Sequence, residues 1–170
     1  MVQSDADRED PAGEGYTAAQ IRAAEAPLLA VGEPLMARAA HGLAARIRTL
    51  LPEQPSTGAA RADGVMLLVG SGDNGGDALF AGAELAADGV PVEVVGLGTR
   101  MHMAGWSAAA RAGAVRTVAP GDEESFTAWR DGLAERLGRV AVIVDGMLGI
   151  GTTAGAPTLR GRPREAVEAL

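Results

Sequence analysis

The stretch Val65-Met66-Leu67-Leu68-Val69-Gly70-Ser71-Gly72-Asp73-Asn74-Gly75-Gly76-Asp77 decides how the rest of the chain is read. An uninterrupted apolar run passes into a loop of glycines and short polar side chains, and residues 78–87 then carry strong helix formers at apolar spacing. Apolar residues without alternation suit a strand covered on both faces, as in a parallel sheet. The reading is strand, glycine-rich loop, helix. A ligand belongs at that junction, because successive glycines let backbone N–H groups approach an anion and the helix adds the positive end of its dipole.

Outward from this stretch, composition bounds the answer. The 170 residues suit one domain with a full core. The formal net charge is −7, and every positive side chain is arginine, with no lysine. That leaves no basic patch for a phosphodiester backbone, so nucleic acid is not an expected partner. The absence of cysteine excludes disulfides and thiolate chemistry and fits a reducing cytoplasm. Residues 1–15 are acidic and hydrophilic, without the basic and apolar regions of a signal peptide, and read as a disordered leader. No later apolar run approaches the roughly 18 residues of a membrane span, so a soluble protein with no membrane partner is expected.

In chain order, Thr17 is a helix N-cap candidate before residues 18–25, and Pro27 should limit or kink that helix. A second helix begins near Pro34. Its Leu35, Ala39, Leu43, Ile47 and Leu50 recur at helical spacing and should face the sheet, leaving Arg38, Arg46 and Arg48 wet. Pro52 should end it, and residues 53–64 read as a surface loop. Beyond the central stretch the pattern alternates: strand 91–97, helix 104–112, strand 115–118, helix 123–137, strand 140–145, with Pro163 opening a short last helix. These are βαβ units, and the expected fold is α/β, a three-layer αβα sandwich of the doubly wound, Rossmann-like kind with a mostly parallel sheet. A sheet of about four strands is small for such a domain, so the chain is expected to be incomplete at its C-terminus.

The spacing Gly70-x-Gly72-x-x-Gly75 matches a dinucleotide fingerprint in its required strand-to-helix setting. Its acidic partner at the end of the second strand is missing, since Glu93 lies in mid-strand, and this counts against an NAD(P)-dependent dehydrogenase. Asp77 reads either as a helix N-terminal carboxylate or as a ligand-binding one. Asp73 and Asn74 read either as turn residues or as site residues. Asp145 ends the apolar strand 140–144, which reads as a second buried parallel strand, and precedes Gly146, Gly149 and Gly151, so two carboxylate-bearing loops should converge at one sheet edge. His41 reads as a partly exposed helix residue, His102 as a residue that could border the crevice, and Trp106 and Trp129 as core. Neither histidine has the partners of a nucleophilic triad or a zinc site.

From Tyr16 onward the chain resembles the YjeF N-terminal domain family, the NAD(P)H-hydrate epimerases. The resemblance rests on Thr17-Ala18-Ala19-Gln20-Ile21-Arg22 with Gly32-Glu33-Pro34-Leu35-Met36-Ala37-Arg38-Ala39-Ala40, on Gly70-Ser71-Gly72-Asp73-Asn74-Gly75-Gly76-Asp77-Ala78-Leu79, and on Val144-Asp145-Gly146-Met147-Leu148-Gly149-Ile150-Gly151. The second segment is the most specific; its family form is usually Asn-Asn-Gly-Gly-Asp, so Asp73 is a departure. The resemblance implies an isomerase that interconverts the R and S epimers of hydrated NADH and NADPH, in repair of the nicotinamide cofactor. A dehydratase, fused or separate, would act on the S form. It implies a substrate site of Asp73, Asn74, Gly75, Gly76 and Asp77, with Gly149, Ile150, Gly151, Thr152, Thr153, Ala154 and Gly155 as a second loop. It also implies a potassium ion held by Asn74 and Asp145. Asp145 and Asp77 are the candidate acid–base groups. The family's later Asp-x-Pro-Ser-Gly motif has no counterpart after Leu159, so the expected domain of residues 16–170 is incomplete and its own epimerase site compromised. The alternatives are a non-catalytic nucleotide-binding module of the same fold and, third, the dehydrogenase. A homodimer stays open.

Overall fold

The computed structural model describes residues 16–52, 64–98, 100–120, 122–149 and 159–168. The expected leader, residues 1–15, and residues 150–155 of the second loop lie outside them. The elements are α1 (Ala18–Ala30), α2 (Leu35–Arg48), β1 (Gly64–Val69), α3 (Asp73–Ala87), β2 (Val92–Gly96), α4 (Met103–Arg111), β3 (Val115–Val118), α5 (Glu123–Leu137), β4 (Val140–Gly146) and α6 (Arg162–Val167). The chain divides into two compact units, one ending at Glu33 and the other beginning at Pro34.

In the first unit, Thr17 caps α1 as expected. Its hydroxyl accepts from the Gln20 N–H at 3.3 Å, and the Gln20 side chain accepts from the Thr17 N–H at 2.8 Å, a reciprocal capping box. Pro27 lies inside α1, which continues to Ala30. A proline removes one backbone donor from the ladder without forbidding the turn that follows it.

Among the described residues of the second unit, four parallel strands run in the order β3-β2-β1-β4. The order reverses after β1, since β2 and β3 lie on one side of it and β4 on the other. That is the topological switch point of an open α/β sheet. β1 is central and buried along its whole length, as its unalternating sequence requires. Val65, Leu67 and Val69 face Ala78, Leu79 and Leu85 of α3, while Met66 and Leu68 face Leu133 of α5 and Ala166 of α6. Helices therefore cover both faces, giving the expected three layers.

Three sequence expectations change. The inward face of α2 is rotated: Ala40, Ala44 and Ile47 are buried, whereas Ala39 and Leu50 are exposed. α2 packs chiefly on α3, and the two alanines permit that close approach. Arg48 reinforces the contact by donating to the Asp88 carboxylate at 2.6 Å and 2.9 Å, a bond that holds the guanidinium above its ordinary pKa. Next, β4 is not buried on both faces. Val142 and Val144 turn toward the core under α3, but Ala141, Ile143 and Asp145 point to the other face and are exposed; among the described residues β4 pairs with β1 only. Finally, α3 begins at Asp73 rather than near residue 78, so the polar residues of the signature stretch are helical.

Mid-strand Glu93 has a structural role. It accepts from Arg136 of α5 at 2.9 Å and from the Thr117 hydroxyl of β3 at 2.8 Å. The Arg136 guanidinium lies 5.5 Å from the Trp129 ring centre, an attractive cation–π arrangement. Trp129 in turn stacks on Phe126, so its expected core role holds.

Candidate functional site at the C-terminal edge of β1 and β4

The β1 and β4 strands do not part cleanly at their C-terminal ends. The Gly70 N–H donates to the Gly146 carbonyl at 3.1 Å, extending the ladder one step past Val69. The backbone of Met147 lies so close to Gly70 that any Cβ there would collide with the Met147 carbonyl. The residues after β4 then reach the first turn of α3. The Asn74 amide donates through Nδ2 to the Leu148 carbonyl at 2.9 Å, leaving Oδ1 as its remaining polar atom. A Cβ on Gly149 would stand 3.2 Å from the Asn74 Cβ, and one on Gly146 would stand 2.9 Å from the Ala78 Cβ.

This geometry gives the glycines a packing role. A Cβ on Gly75 would fall 2.7 Å from the Gly70 carbonyl oxygen, and one on Gly76 would fall 3.1 Å from the His102 ring and from the Met36 methyl. These glycines let backbone lie against backbone and ring, a steric necessity.

The carboxylates fall as follows. Asp73 is the first residue of α3, exposed, where the helix dipole favours a negative charge. Asp77 is half-buried in the second turn and is therefore no cap; the cap position belongs to Gly72, which supplies no side-chain bond. Asp145 pairs in register with Leu68, which puts it on the sheet face away from α3, and its Oδ1 accepts from the Met147 N–H at 2.9 Å. Asn74 approaches from the α3 face. The structure thus brings the two loops to one sheet edge, from opposite faces of the sheet.

Of the histidines, His41 is exposed on α2 with Nδ1 3.1 Å from the Glu84 carboxylate. His102 stands at the edge of the site as the N-cap of α4, accepting from the Gly105 N–H at 3.1 Å. The sequence placed His102 at the border of the crevice but left its capping role unread, and it missed the Leu148 carbonyl altogether. The first carried a signal, since His102 immediately precedes a helix; a backbone carbonyl carries none.

A doubly wound α/β domain with polar side chains gathered at its switch point defines a class of small-ligand domain. Comparison with known proteins narrows it. Residues 32–170 match the family model described as YjeF-related protein N-terminus, and the chain belongs to that family. It is 47% identical over 163 residues to the NAD(P)H-hydrate epimerase of Clavibacter michiganensis, covering 95% of this chain and 64% of that protein. It is 48% identical over 157 residues to the protein of the same name from Clavibacter sepedonicus, covering 92% and 61%. The bifunctional NAD(P)H-hydrate repair enzyme Nnr of Mycobacterium tuberculosis matches at 39% identity, over 79% of this chain and 25% of that one. The chain therefore spans less than two thirds of the length of these curated relatives. The crystal structure of yeast YNL200c shares the fold, with a TM-score of 0.72 at 18% identity over 92% of this chain and 64% of that one. No described helix is long and apolar enough to cross a membrane.

Proposed function

We propose that this protein is a nicotinamide-repair isomerase that interconverts the R and S epimers of hydrated NADH and NADPH. The observation that carries the reading is the bond from Asn74 to the Leu148 carbonyl, which joins the start of α3 to the segment after β4 at the switch point. Around it stand Asp73, Asp77 and Asp145, the carboxylates a hydroxylated ring and its sugars would meet. The similarity to two Clavibacter proteins named NAD(P)H-hydrate epimerase supports the same substrate class.

The donor chemistry suits potassium. A hard monovalent cation takes oxygen ligands. Asn74 has its Oδ1 available once Nδ2 is committed to Leu148, and Asp145 has its Oδ2 beyond the oxygen that accepts from Met147. Asn74 and Asp145 would hold the ion, and its charge would offset the carboxylate that Asp145 brings toward a phosphate-bearing substrate. Asp145 or Asp77 would serve as the acid–base group: the carboxylate takes the proton of the ring hydroxyl as the adjoining ring C–N bond breaks to leave a carbonyl, the bond's electron pair going to the ring nitrogen, and it returns the proton when the nitrogen closes on the carbonyl's other face and the centre inverts. A dehydratase for the S form is the partner this substrate implies, and a cytoplasmic setting and a homodimer belong to the same reading. A dehydrogenase fits less well, because Glu93 is committed to Arg136 and Thr117 and no carboxylate ends β2.

The test is to incubate the protein with purified R-hydrate and a separate S-specific dehydratase, with and without potassium, and to follow recovery of the reduced cofactor. A potassium-dependent gain over the spontaneous rate is expected. A rate no faster than the spontaneous one, with the hydrate still bound, would leave only a binding module; a gain indifferent to potassium would remove the ion from the site.

A further inference from the structure

We infer that His102 is a positioning residue for the first turn of α3, holding the Gly75-Gly76 backbone, and through it Asp77 at the start of the second turn, where the site needs it; the catalytic consequence rests on the epimerase reading above. The imidazole has two attachments that fix it independently of any ligand. Its Nδ1 accepts from the Gly105 N–H at 3.1 Å, so the ring proton sits on Nε2 and the ring cannot rotate without uncapping α4. Its edge meets Phe80 of α3 with ring centres 5.6 Å apart and planes inclined by 65°.

The face so fixed lies against Gly76. A Cβ at Gly76 would come within 3.1 Å of His102 Cγ and 3.2 Å of Cδ2. Met36 reaches the same point from α2, also at 3.1 Å, but with a terminal methyl that can swing aside. The imidazole cannot, so it is the rigid wall and Met36 the compliant one. The first turn of α4 continues the wall: a Cβ on Gly105 would stand 2.9 Å from the Leu79 Cβ and 3.4 Å from the Gly76 carbonyl oxygen. On its other flank the start of α3 is tied to Leu148 through Asn74. The polar turn is thus held between the segment after β4 and the residue that opens α4. Losing either hold lets Asn74 and Asp77 shift relative to Asp145.

Two substitutions separate the ring from the cap. His102→Asn keeps an oxygen that can accept from the Gly105 N–H but removes the ring; His102→Phe keeps a ring but removes the acceptor. Amide hydrogen exchange of the full chain, read residue by residue, is the primary measurement. In H102N the Gly76 and Asp77 amides are expected to exchange about tenfold faster while the Gly105 amide stays protected. In H102F the pattern reverses, with the Gly105 amide faster and the α3 amides within about twofold of wild type. Turnover of the hydrate should fall about tenfold in H102N, with KM little changed, and be retained by H102F. Unchanged α3 exchange in H102N, or losses in both variants that merely follow their melting temperatures, would overturn the inference. A wild-type protein that does not epimerise refutes the epimerase reading alone, since the exchange measurement still decides whether His102 holds the turn.

Discussion

At the scale of single residues, the site depends on donors and acceptors that a change of one atom reverses. Asn74 can donate to the Leu148 carbonyl because it carries an amide. An aspartate there would have the same shape but would set two acceptors against each other. Asn74→Asp is therefore expected to lower stability by about 1–3 kcal/mol, measured by urea unfolding, and to abolish the potassium-dependent gain in turnover. A variant as stable as the parent would show that the bond does not hold the two segments together. The same logic explains why the sequence alone left Asp77 with two readings. Its place beside a helix was legible, but whether it capped that helix depended on where the helix begins. The helix begins four residues earlier, at Asp73. That start needs glycine at 75 and 76, because Gly70 and His102 occupy the space side chains there would need.

At the scale of elements, two helical glycines should respond in opposite directions to the same substitution. Gly132 in α5 has nothing within 4 Å of a prospective Cβ, so Gly132→Ala should stabilise the protein by about 0.5–1 kcal/mol through the intrinsic helix preference. Gly82 in α3 would put a Cβ 2.5 Å from Leu67 Cδ1, and Leu67 is fully buried in the central strand. Gly82→Ala should cost about 1–3 kcal/mol by overpacking. Thermal melts of the two variants check both signs; a destabilised G132A or a neutral G82A would contradict this packing of α3 on β1. Helix and strand positions were largely readable, as the match at residues 115–118 and 123–137 shows. The buried face of α2 was not, because Leu43 and Ala44 suit an inward face equally well until the partner is known to be another helix.

At the scale of the whole molecule, β3 and β4 are the two edges of the described sheet, and both carry exposed apolar side chains. On β4, Ile143 is 44% exposed, and among the described residues this strand has one sheet neighbour. Such an edge favours intermolecular pairing, which an edge lysine opposes. Ile143→Lys is expected to weaken concentration-dependent association in sedimentation experiments while shifting the unfolding free energy by less than about 0.5 kcal/mol. Equal association in both proteins would show that this edge is not the contact. By itself, the sequence determined the alternation of strand and helix, the doubly wound class and the sheet edge at which the two polar loops meet. Apolar period, glycine placement and chain order are local properties, and local properties decide those features. Only the tertiary structure decided that β4 is half bare, that the signature glycines serve packing, and that His102 walls the first turn of α3. Each of these depends on what distant residues leave room for, and no local pattern records that space.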